Sequence, residues 1–191
     1  MKLSVFPKVY EPSEDSFLLA ENVEIAKGCS VLDLGTGSGI QGISAAAKGA
    51  AHVVCTDVNE NALKNAEENA EKAGFSDRFE FRQSSLFDCV KQGERFDVIV
   101  FNPPYVPSKG KRFVDLDGGK KGREILDKFL AEFPKHLKKN GACFFLQSSL
   151  NGEKETANAL EKNGFEARVV ARKRVFFEEL VVFRAGKRQS K

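Results

Sequence analysis

An α/β fold, built on a mostly parallel sheet of seven strands with helices on both faces, is the architecture that this sequence predicts. Strand-like apolar runs alternate with segments of helical periodicity, which is typical of a parallel sheet covered by helices. Only residues 172–177 separate the last two strand-like runs, so these runs should form an antiparallel hairpin that gives the sheet a reversed edge strand. The length of 191 residues and the hydrophobic content of 41% suit one domain with a single core.

Seven apolar runs, rich in β-branched and aromatic residues, are the predicted strands. In chain order they are Ser30–Leu34, His52–Thr56, Phe79–Arg82, Phe96–Phe101, Cys143–Gln147, Glu166–Ala171 and Glu179–Phe183. Helix-like segments lie between most of the earlier runs but not between the last two, which fits a parallel sheet that ends in an antiparallel hairpin.

Five segments with apolar residues at helical spacing are the predicted helices. They are Ser16–Ala26, Ser38–Ala47, Glu60–Ala73, Arg123–Phe133 and Glu153–Asn163. The third has its alanines on one face and Asn59 as a capping residue in front of it. The fifth ends before Gly164, a residue that commonly terminates helices.

The domain limits and the cellular compartment follow from composition. We expect residues 1–185 to form a single domain and the polar residues 186–191 to be a disordered tail. The chain contains no apolar run near the length of a membrane span, and Met1–Pro7 lacks the apolar core of a signal peptide. The expectation is a cytoplasmic protein with no membrane partner.

Cysteine and histidine are too scattered to predict a metal site or a disulfide. The positions are Cys29, Cys55, Cys89, Cys143, His52 and His136, with no Cys-x-x-Cys pair. Reduced and mostly buried thiols are therefore expected. Lys and Arg outnumber Asp and Glu by 30 − 27 = 3, and this slight excess neither requires nor excludes a nucleic-acid partner.

The candidate catalytic residues are Asn102, Pro103, Pro104 and Tyr105, which close the apolar run Val98–Phe101. In open α/β sheets, ligands bind at the carboxyl ends of the strands. Two prolines remove two backbone donors and fix two φ angles, and the first of them also pushes Asn102 toward extended geometry. The result is a set of fixed oxygen acceptors beside an aromatic ring. Such a site suits a planar NH2 group, either an amide or an exocyclic amine.

A glycine-rich loop after the first strand marks the candidate cofactor site. The stretch Asp33–Gly39 contains Gly35, Thr36, Gly37 and the final glycine, and glycines let a backbone turn tightly and approach a ligand closely. The second strand ends at Asp57, 57 − 37 = 20 residues after the middle glycine, and Val58 follows it. A carboxylate at that place can accept hydrogen bonds from both hydroxyls of a ribose.

Two kinds of cofactor compete for this loop. A dinucleotide loop would have its third glycine at position 40, which is Ile40 here, whereas the third glycine is Gly39. The acidic Asp33 before the first glycine suits an amino group and repels a pyrophosphate. These features favour S-adenosylmethionine, with S-adenosylhomocysteine as the product, over a nicotinamide or flavin dinucleotide.

The adenine end of the cofactor site is less well defined by the sequence. In enzymes that bind S-adenosylmethionine, an acidic residue usually follows the third strand. Here Ser85 occupies that position, before Leu86. Asp88 lies three residues later and could take over the contact with the adenine amino group. The choice between Ser85 and Asp88 stays open.

Together these motifs resemble the HemK-type release factor glutamine methyltransferases, a family with the Rossmann-like class I methyltransferase fold. Tyr10–Leu19 looks like the Tyr-Glu-Pro-x-Glu-Asp-x-Phe-Leu-Leu segment of the short eukaryotic and archaeal branch, and Gly118–Glu124 is similar to its Gly-Gly-x-x-Gly-Arg-Glu stretch. The resemblance implies that a Gly-Gly-Gln glutamine of a translation release factor is methylated. It also implies a small zinc-binding activator protein as heterodimer partner.

The resemblance places Asp15 near the methionine end of the cofactor, although charge compensation at a helix N-terminus would also explain that residue. The full set of candidate cofactor-binding residues is Asp15, Asp33, Gly35, Thr36, Gly37, Gly39, Asp57, Val58, Ser85, Leu86 and Asn102.

The main alternative is an adenine methyltransferase that modifies the exocyclic amine in RNA or DNA. The Asn102–Tyr105 motif would serve that amine equally well, with the ring of Tyr105 stacked on the base. Basic residues near the motif would favour such a partner: Lys109, Lys111, Arg112, Arg172, Lys173, Arg174, Lys187 and Arg188. A non-catalytic module and a dinucleotide-dependent oxidoreductase fit the two intact motifs less well.

Overall fold

A single seven-stranded sheet forms the middle layer of the molecule. The structure, a computed structural model, describes residues 3–106, 118–119 and 121–187. The strands are β1 Ser30–Leu34, β2 His52–Asp57, β3 Phe79–Gln83, β4 Phe96–Phe101, β5 Leu137–Ser148, β6 Phe165–Val175 and β7 Glu178–Lys187. Their order across the sheet is β3-β2-β1-β4-β5-β7-β6.

Strands β1 to β5 pair in parallel, and β7 pairs antiparallel with both β5 and β6. The predicted mostly parallel sheet with a hairpin at its edge is therefore confirmed. Within the hairpin, the reversed strand β7 lies between β5 and β6, and β6 is the outermost strand. The sequences explain this arrangement, because β7 buries the consecutive apolar residues Leu180–Phe183 whereas β6 alternates with charged residues that tolerate an edge.

Five α-helices cover the two faces in the part of the chain that the structure describes. They are α1 Glu14–Asn22, α2 Ile40–Ala47, α3 Glu60–Lys72, α4 Glu124–His136 and α5 Glu153–Lys162, with short 3-10 turns at Ser76–Arg78 and Ser149–Asn151. Each corresponds to a predicted helix. The first ends four residues earlier than predicted, because Val23 adopts an extended backbone and its side chain turns into the core.

Helix α4 continues through Pro134 to His136, three residues beyond the predicted end. A proline inside a helix lacks the N–H that would bond the carbonyl four residues earlier, here that of Leu130. The side-chain amide of Asn163 lies 3.4 Å from this carbonyl oxygen and donates to it. A donor from the end of α5 thus compensates for the missing backbone bond.

Phenylalanine rings form much of the core on the α4–α5 face of the sheet. Phe129 lies 4.9 Å from Phe101 and 5.3 Å from Phe133 between ring centroids, and Phe133 lies 5.0 Å from Phe165. On the other face, α1 and α2 bury smaller apolar residues such as Leu19 and alanines against the same strands. The sheet is consequently covered on both sides, as predicted.

The segment before α1 is attached to α3 by two buried asparagines. Asn65 accepts from the backbone N–H of Phe6 (2.9 Å) and Asn69 from that of Ser4 (3.0 Å). Both side-chain amides also donate to the carbonyl of Ser4. These contacts direct the chain back across the carboxyl edge of the sheet, so that α1 begins beside the ends of the parallel strands.

Strand β7 continues to Lys187, so Gly186 and Lys187 of the predicted tail are part of the sheet. The remaining tail residues, 188–191, lie outside the described part of the chain. All four cysteines are free thiols; Cys89 is partly exposed and the other three are buried. No helix among the described residues is long and apolar enough to cross a membrane.

Candidate active site

The glycine-rich loop connects β1 to α2 and turns sharply. Its three glycines, Gly35, Gly37 and Gly39, have φ angles of 61°, 54° and 85°, which residues with side chains rarely adopt. Gly39 also needs the space, because a Cβ there would lie 3.0 Å from the Cβ of Ala66 on α3. The loop therefore presents its backbone at the carboxyl edge of the sheet, where ligands bind in this fold class.

Asp33 connects the glycine loop to the start of α2. Its Oδ2 accepts from the hydroxyl of Thr36 (2.7 Å) and from the backbone N–H of Gly42 (2.9 Å). Its Oδ1 is buried and has no hydrogen-bond partner among the described residues. Burial raises the pKa of Asp33 to about 7. One oxygen thus stabilises the loop, and the other remains available to a donor.

Asp57, at the end of β2, holds the loop from the neighbouring strand. Its Oδ2 accepts from the N–H of Gly37 (3.0 Å), and its Oδ1 accepts from the N–H of Asn59 (2.9 Å). Burial raises the pKa of Asp57 as well. Each carboxylate oxygen can accept more than one hydrogen bond, so both retain capacity for the two hydroxyls of a ribose.

Asn102 follows β4, the strand on the other side of β1. Its Nδ2 donates to Oδ2 of Asp15 at 3.1 Å. This carboxylate partner fixes which end of the amide is the nitrogen. The Oδ1 of Asn102 is buried without a partner in the described part of the molecule, so it can accept from a bound NH2 group.

Asp15, on the first turn of α1, is the centre of a polar cluster and is only 3% exposed. Besides Asn102, it accepts from the hydroxyls of Tyr10 (3.0 Å) and Tyr105 (3.5 Å) and from the N–H of Ser16 (2.6 Å). Burial and the charge of Asp15 raise the pKa of both phenols, which therefore stay protonated as donors. The structure brings Asp15 into contact with Asn102 and Tyr105, two of the predicted catalytic residues.

The backbone of Tyr105 is held by a hydrogen bond from Asn151, which follows β5. The Nδ2 of Asn151 donates to the carbonyl oxygen of Tyr105 at 2.9 Å, while its Oδ1 accepts from the N–H of Ser148. Gly122 lies against the same two groups, and a Cβ at this glycine would overlap both the Tyr105 carbonyl and the Asn151 amide. Gly122 thus packs directly on the backbone of Tyr105, one of the predicted catalytic residues.

Arg123 connects this packing to helix α5. Its Nη1 donates to the carbonyls of Asn151 and Gly152 and to the hydroxyl of Thr156, and Nη2 pairs with Asp127. The sequence alone gave no physical role to Gly122 and Arg123 and did not single out Asn151. The available signal for Asn151 was the mostly polar run Gln147–Asn151, which follows the apolar residues Ala142–Leu146.

The loop after β3 is tethered to Asp57 but leaves both candidate adenine contacts in solvent. The N–H of Ser84 donates to the backbone carbonyl of Asp57 at 2.9 Å. Ser85 and Asp88 are both exposed, so their positions do not decide between them. Leu86 has a φ of 46° and packs partly on the aromatic core, and Val58 is 49% exposed at the same edge.

The histidines lie away from this edge. His136 stacks on Phe87 at 4.7 Å, and burial lowers its pKa. His52 lies 3.9 Å from Glu80 on the surface. Within the described ranges, no group of three or more histidine, cysteine or acidic side chains could hold a metal ion. The basic residues predicted at positions 109, 111, 112 and 188 lie outside those ranges.

The strand order, the glycine loop after β1, the carboxylate after β2 and the acceptor motif after β4 define a Rossmann-like class I methyltransferase. A family model described as a methyltransferase domain matches residues 25–179. The chain is 47% identical to a Methanocaldococcus jannaschii protein named "Putative protein N5-glutamine methyltransferase", over 97% of this chain and 95% of that protein. It is 29% identical to human methyltransferase HEMK2, over 95% of this chain and 91% of that protein.

A solved structure with the same fold is the Mtq2–Trm112 complex of E. cuniculi, described as responsible for methylation of the eRF1 translation termination factor. The TM-score is 0.74 at 28% identity, with 95% of this chain and 100% of that chain covered. The chain therefore belongs to the methyltransferase family, in its HemK-type branch of protein glutamine methyltransferases. Membership implies a methyl donor of the S-adenosylmethionine type.

Proposed function

We propose that this protein transfers a methyl group from S-adenosylmethionine to the side-chain amide nitrogen of a glutamine in the Gly-Gly-Gln motif of a translation release factor. The observation that carries the proposal is the orientation of Asn102, whose nitrogen bonds Asp15 and whose oxygen is left without a partner among the described residues. The relatives named for glutamine methylation support the same substrate atom.

The cofactor would occupy the edge formed by β1, β2 and the loop after β3. The partnerless Oδ1 of Asp33 suits the amino group of the methionine part, and Asp57 suits the ribose hydroxyls. Val58 and Leu86 offer apolar surface to the adenine. The bound cofactor supplies an activated methyl group on its sulfonium; S-adenosylhomocysteine leaves after transfer.

The residues of the catalytic motif would orient the glutamine. An amide nitrogen is a poor nucleophile because its lone pair is delocalised, so its position relative to the methyl group matters. Alignment of two reactants can contribute several kcal/mol, up to about 7–11 in favourable cases. The Oδ1 of Asn102 and the carbonyl of Pro103 would each accept one N–H, which stabilises the positive charge that develops on the nitrogen. Tyr105 would pack on the amide plane, and the proton would leave to water.

A small zinc-binding activator protein in a heterodimer and a cytoplasmic location complete the proposal. Support for the activator comes from the resemblance and from the solved Mtq2–Trm112 complex. The four free thiols fit a reducing compartment.

Adenine methylation in RNA or DNA remains the second candidate function, since the motif would fit that amine too. Two of the four described basic residues give it little support. Arg172 pairs with Glu153 and Glu179, and Lys173 pairs with Glu14, so their charges are compensated within the protein, whereas Arg174 and Lys187 have no ion pair among the described residues.

Cofactor affinity should fall about tenfold between pH 8 and pH 6. The cationic amino group of the cofactor binds the ionised form of Asp33, whose pKa in the free protein is about 7. Below that pH the carboxyl holds a proton, which must leave on binding. Calorimetric titrations across this pH range would measure the change, and Asp33→Asn should bind weakly with a much flatter pH profile. A wild-type affinity that is constant with pH would contradict the contact.

The same raised pKa determines how the stability of the cofactor-free protein depends on pH. Because the folded pKa of Asp33 lies above its ordinary value of 3.8, the folded state binds more protons than the unfolded state between about pH 4 and 7. This residue therefore makes the fold less stable as pH rises through that window. Asp33→Asn should remove this contribution from a series of denaturant titrations.

Asp57→Ala should weaken cofactor binding by roughly 10- to 150-fold, the cost of losing hydrogen bonds to a charged acceptor. Part of this loss would come from the glycine loop, since the N–H of Gly37 also loses its partner. Isothermal titration calorimetry gives the affinity, and Asp77→Ala, at an exposed carboxylate in the turn before β3, is the matched control. Unchanged affinity in Asp57→Ala would refute the ribose contact.

A radiolabelled methyl-transfer assay tests the whole proposal. The substrates are release factor, the same factor with Gly-Gly-Gln changed to Gly-Gly-Ala, total RNA and DNA, each with and without the activator. Label on the wild-type factor that disappears with the alanine change establishes glutamine methylation. Label on RNA or DNA alone establishes the second candidate instead.

A further inference from the structure

The tip of the β6–β7 hairpin exposes two consecutive aromatic side chains. Phe176 and Phe177 form its turn and are 96% and 98% exposed. Elsewhere in the described chain, large apolar side chains that reach the surface are less exposed, with Leu150 at 65% and Phe17 at 51%. Large exposed apolar patches on soluble proteins commonly mark contact sites for other molecules.

Folding does not explain the choice of phenylalanine at this turn. Phe176 has a φ of 43°, in the left-handed region that a bulky side chain adopts only at a cost of about 1–2 kcal/mol. Two-residue hairpin turns with positive φ at this position favour glycine, asparagine or aspartate. The side chain of Phe176 is therefore neither buried nor favourable for the backbone of the turn. Its function must be something other than stabilising the fold.

The hairpin tip lies at the same edge of the sheet as the catalytic motif. Strand β7 pairs antiparallel with both neighbours, so β6 runs parallel to β5 and ends at the carboxyl edge. The two phenylalanines, Leu150, Glu178 and Val106 line one groove of about 280 Å³. Val106 directly follows Tyr105, so one wall of this groove adjoins the residues proposed to hold the glutamine.

We propose that this groove, which we call the hairpin groove, docks apolar side chains that the folded protein substrate presents outside its Gly-Gly-Gln loop. The inference rests on the proposed function, since it places the substrate segment next to Tyr105. Exposed aromatic rings supply large contact areas and often dominate the binding energy of protein interfaces. The groove would thus select a folded protein rather than a free glutamine side chain.

Charges around the tip favour a protein over a nucleic acid. Glu178 and Glu179 follow the two phenylalanines immediately, and Glu178 is close enough to contribute to the raised pKa of Tyr105. On the other side of the turn, Arg172 and Lys173 are in ion pairs, whereas the exposed Arg174 has no ion pair among the described residues. Binding of a phosphate backbone depends on cations that can release its counterions. With two carboxylates and a single unpaired cation beside them, the rings suit apolar protein side chains better than a phosphate backbone.

The test uses Phe176→Gly and Phe177→Ser in the full chain with its activator protein. Phe176→Gly relieves the backbone strain, so it should fold at least as stably as the parent protein and still lose a docking residue. Val169→Ser, at a 39% exposed position in the middle of β6, is the control on the same hairpin. Steady-state methylation is measured with whole release factor and with a short synthetic peptide that contains Gly-Gly-Gln.

Each hairpin variant should raise the KM for the whole factor by about tenfold or more, with kcat and the KM for the peptide unchanged. Val169→Ser should match the parent protein with both substrates. An unchanged KM for the whole factor overturns the docking surface while glutamine methylation stands. An equal rise in the KM for the peptide also overturns the docking surface, since the two phenylalanines would then act inside the catalytic site.

Two further measurements identify other occupants. If the variants lose affinity for the activator, or break up a dimer seen in sedimentation, the groove holds that partner and the proposal is wrong. Loss of RNA methylation without any effect on the release factor would assign the rings to base stacking and also overturn it. A parent protein that labels neither factor nor peptide defeats the proposed function itself, and the docking surface with it.

Discussion

Asn102→Ala is expected to lower turnover by about 10²- to 10³-fold, the range found when one oriented hydrogen-bond partner is removed from a transition state. The alanine cannot accept an N–H from the substrate amide, so the nitrogen is no longer held in line with the methyl group. It also leaves Asp15 without one of its donors. The hydroxyls of Tyr10 and Tyr105 remain to satisfy that carboxylate, so the pocket should keep its shape.

Cofactor affinity distinguishes this role from a purely structural one. Single-turnover methylation with release factor gives the rate of the chemical step, and calorimetry gives the affinity for the cofactor. We expect the rate of the chemical step to fall by about 10²- to 10³-fold and the cofactor affinity to change by less than about threefold. Asn61→Ala, at an exposed position on α3, controls for the loss of an asparagine elsewhere. If cofactor binding is abolished in Asn102→Ala, the residue holds the cofactor and the proposed substrate contact is wrong.

The parts of the site that sequence reasoning predicted are those in which a local motif ends a strand. The glycine loop, Asp57 and Asn102 each follow an apolar run directly. Because parallel strands β1, β2 and β4 are neighbours, the fold brings their carboxyl ends together without further information. Fold class and motif spacing were enough to predict this edge.

Contacts between distant segments could not be predicted in the same way. Asp15 and Asn102 are 87 positions apart, and they meet because Asn65 and Asn69 hold the N-terminal segment on α3. The sequence presents those asparagines as ordinary polar residues on a helix. Their buried positions depend on how the segment packs, which no local pattern encodes.

The β6–β7 hairpin could be predicted only in part. The pairing of its two strands could be predicted from the sequence, because only a short gap separates them. The sequence did not predict the insertion of β7 between β5 and β6, which the longer buried apolar run of β7 explains once the structure is known. The exposure of Phe176 and Phe177 was hidden, because aromatic residues in a turn look like strand residues until the register is known.

Gly122→Ala should reduce turnover on the order of 100-fold by displacing the backbone of Tyr105. The new Cβ would overlap the Tyr105 carbonyl and the Asn151 amide that donates to it, so one of these groups must move. A shift of about 1 Å in a positioned group can cost about 10²-fold in rate. The residue is remote from the cofactor loop, so cofactor affinity should be retained.

Gly164→Ala separates this displacement from backbone strain alone. Both glycines have left-handed φ angles, 66° at Gly122 and 77° at Gly164, and each alanine should cost about 1–2 kcal/mol in unfolding free energy for that reason. A Cβ at Gly164, however, meets nothing within 4 Å. Denaturant titrations should therefore show a lower unfolding free energy in both variants, with the larger decrease in Gly122→Ala. The rate of methyl transfer should fall only in Gly122→Ala. Equal turnover in the two variants would mean that the packing of Gly122 does not position Tyr105 for catalysis.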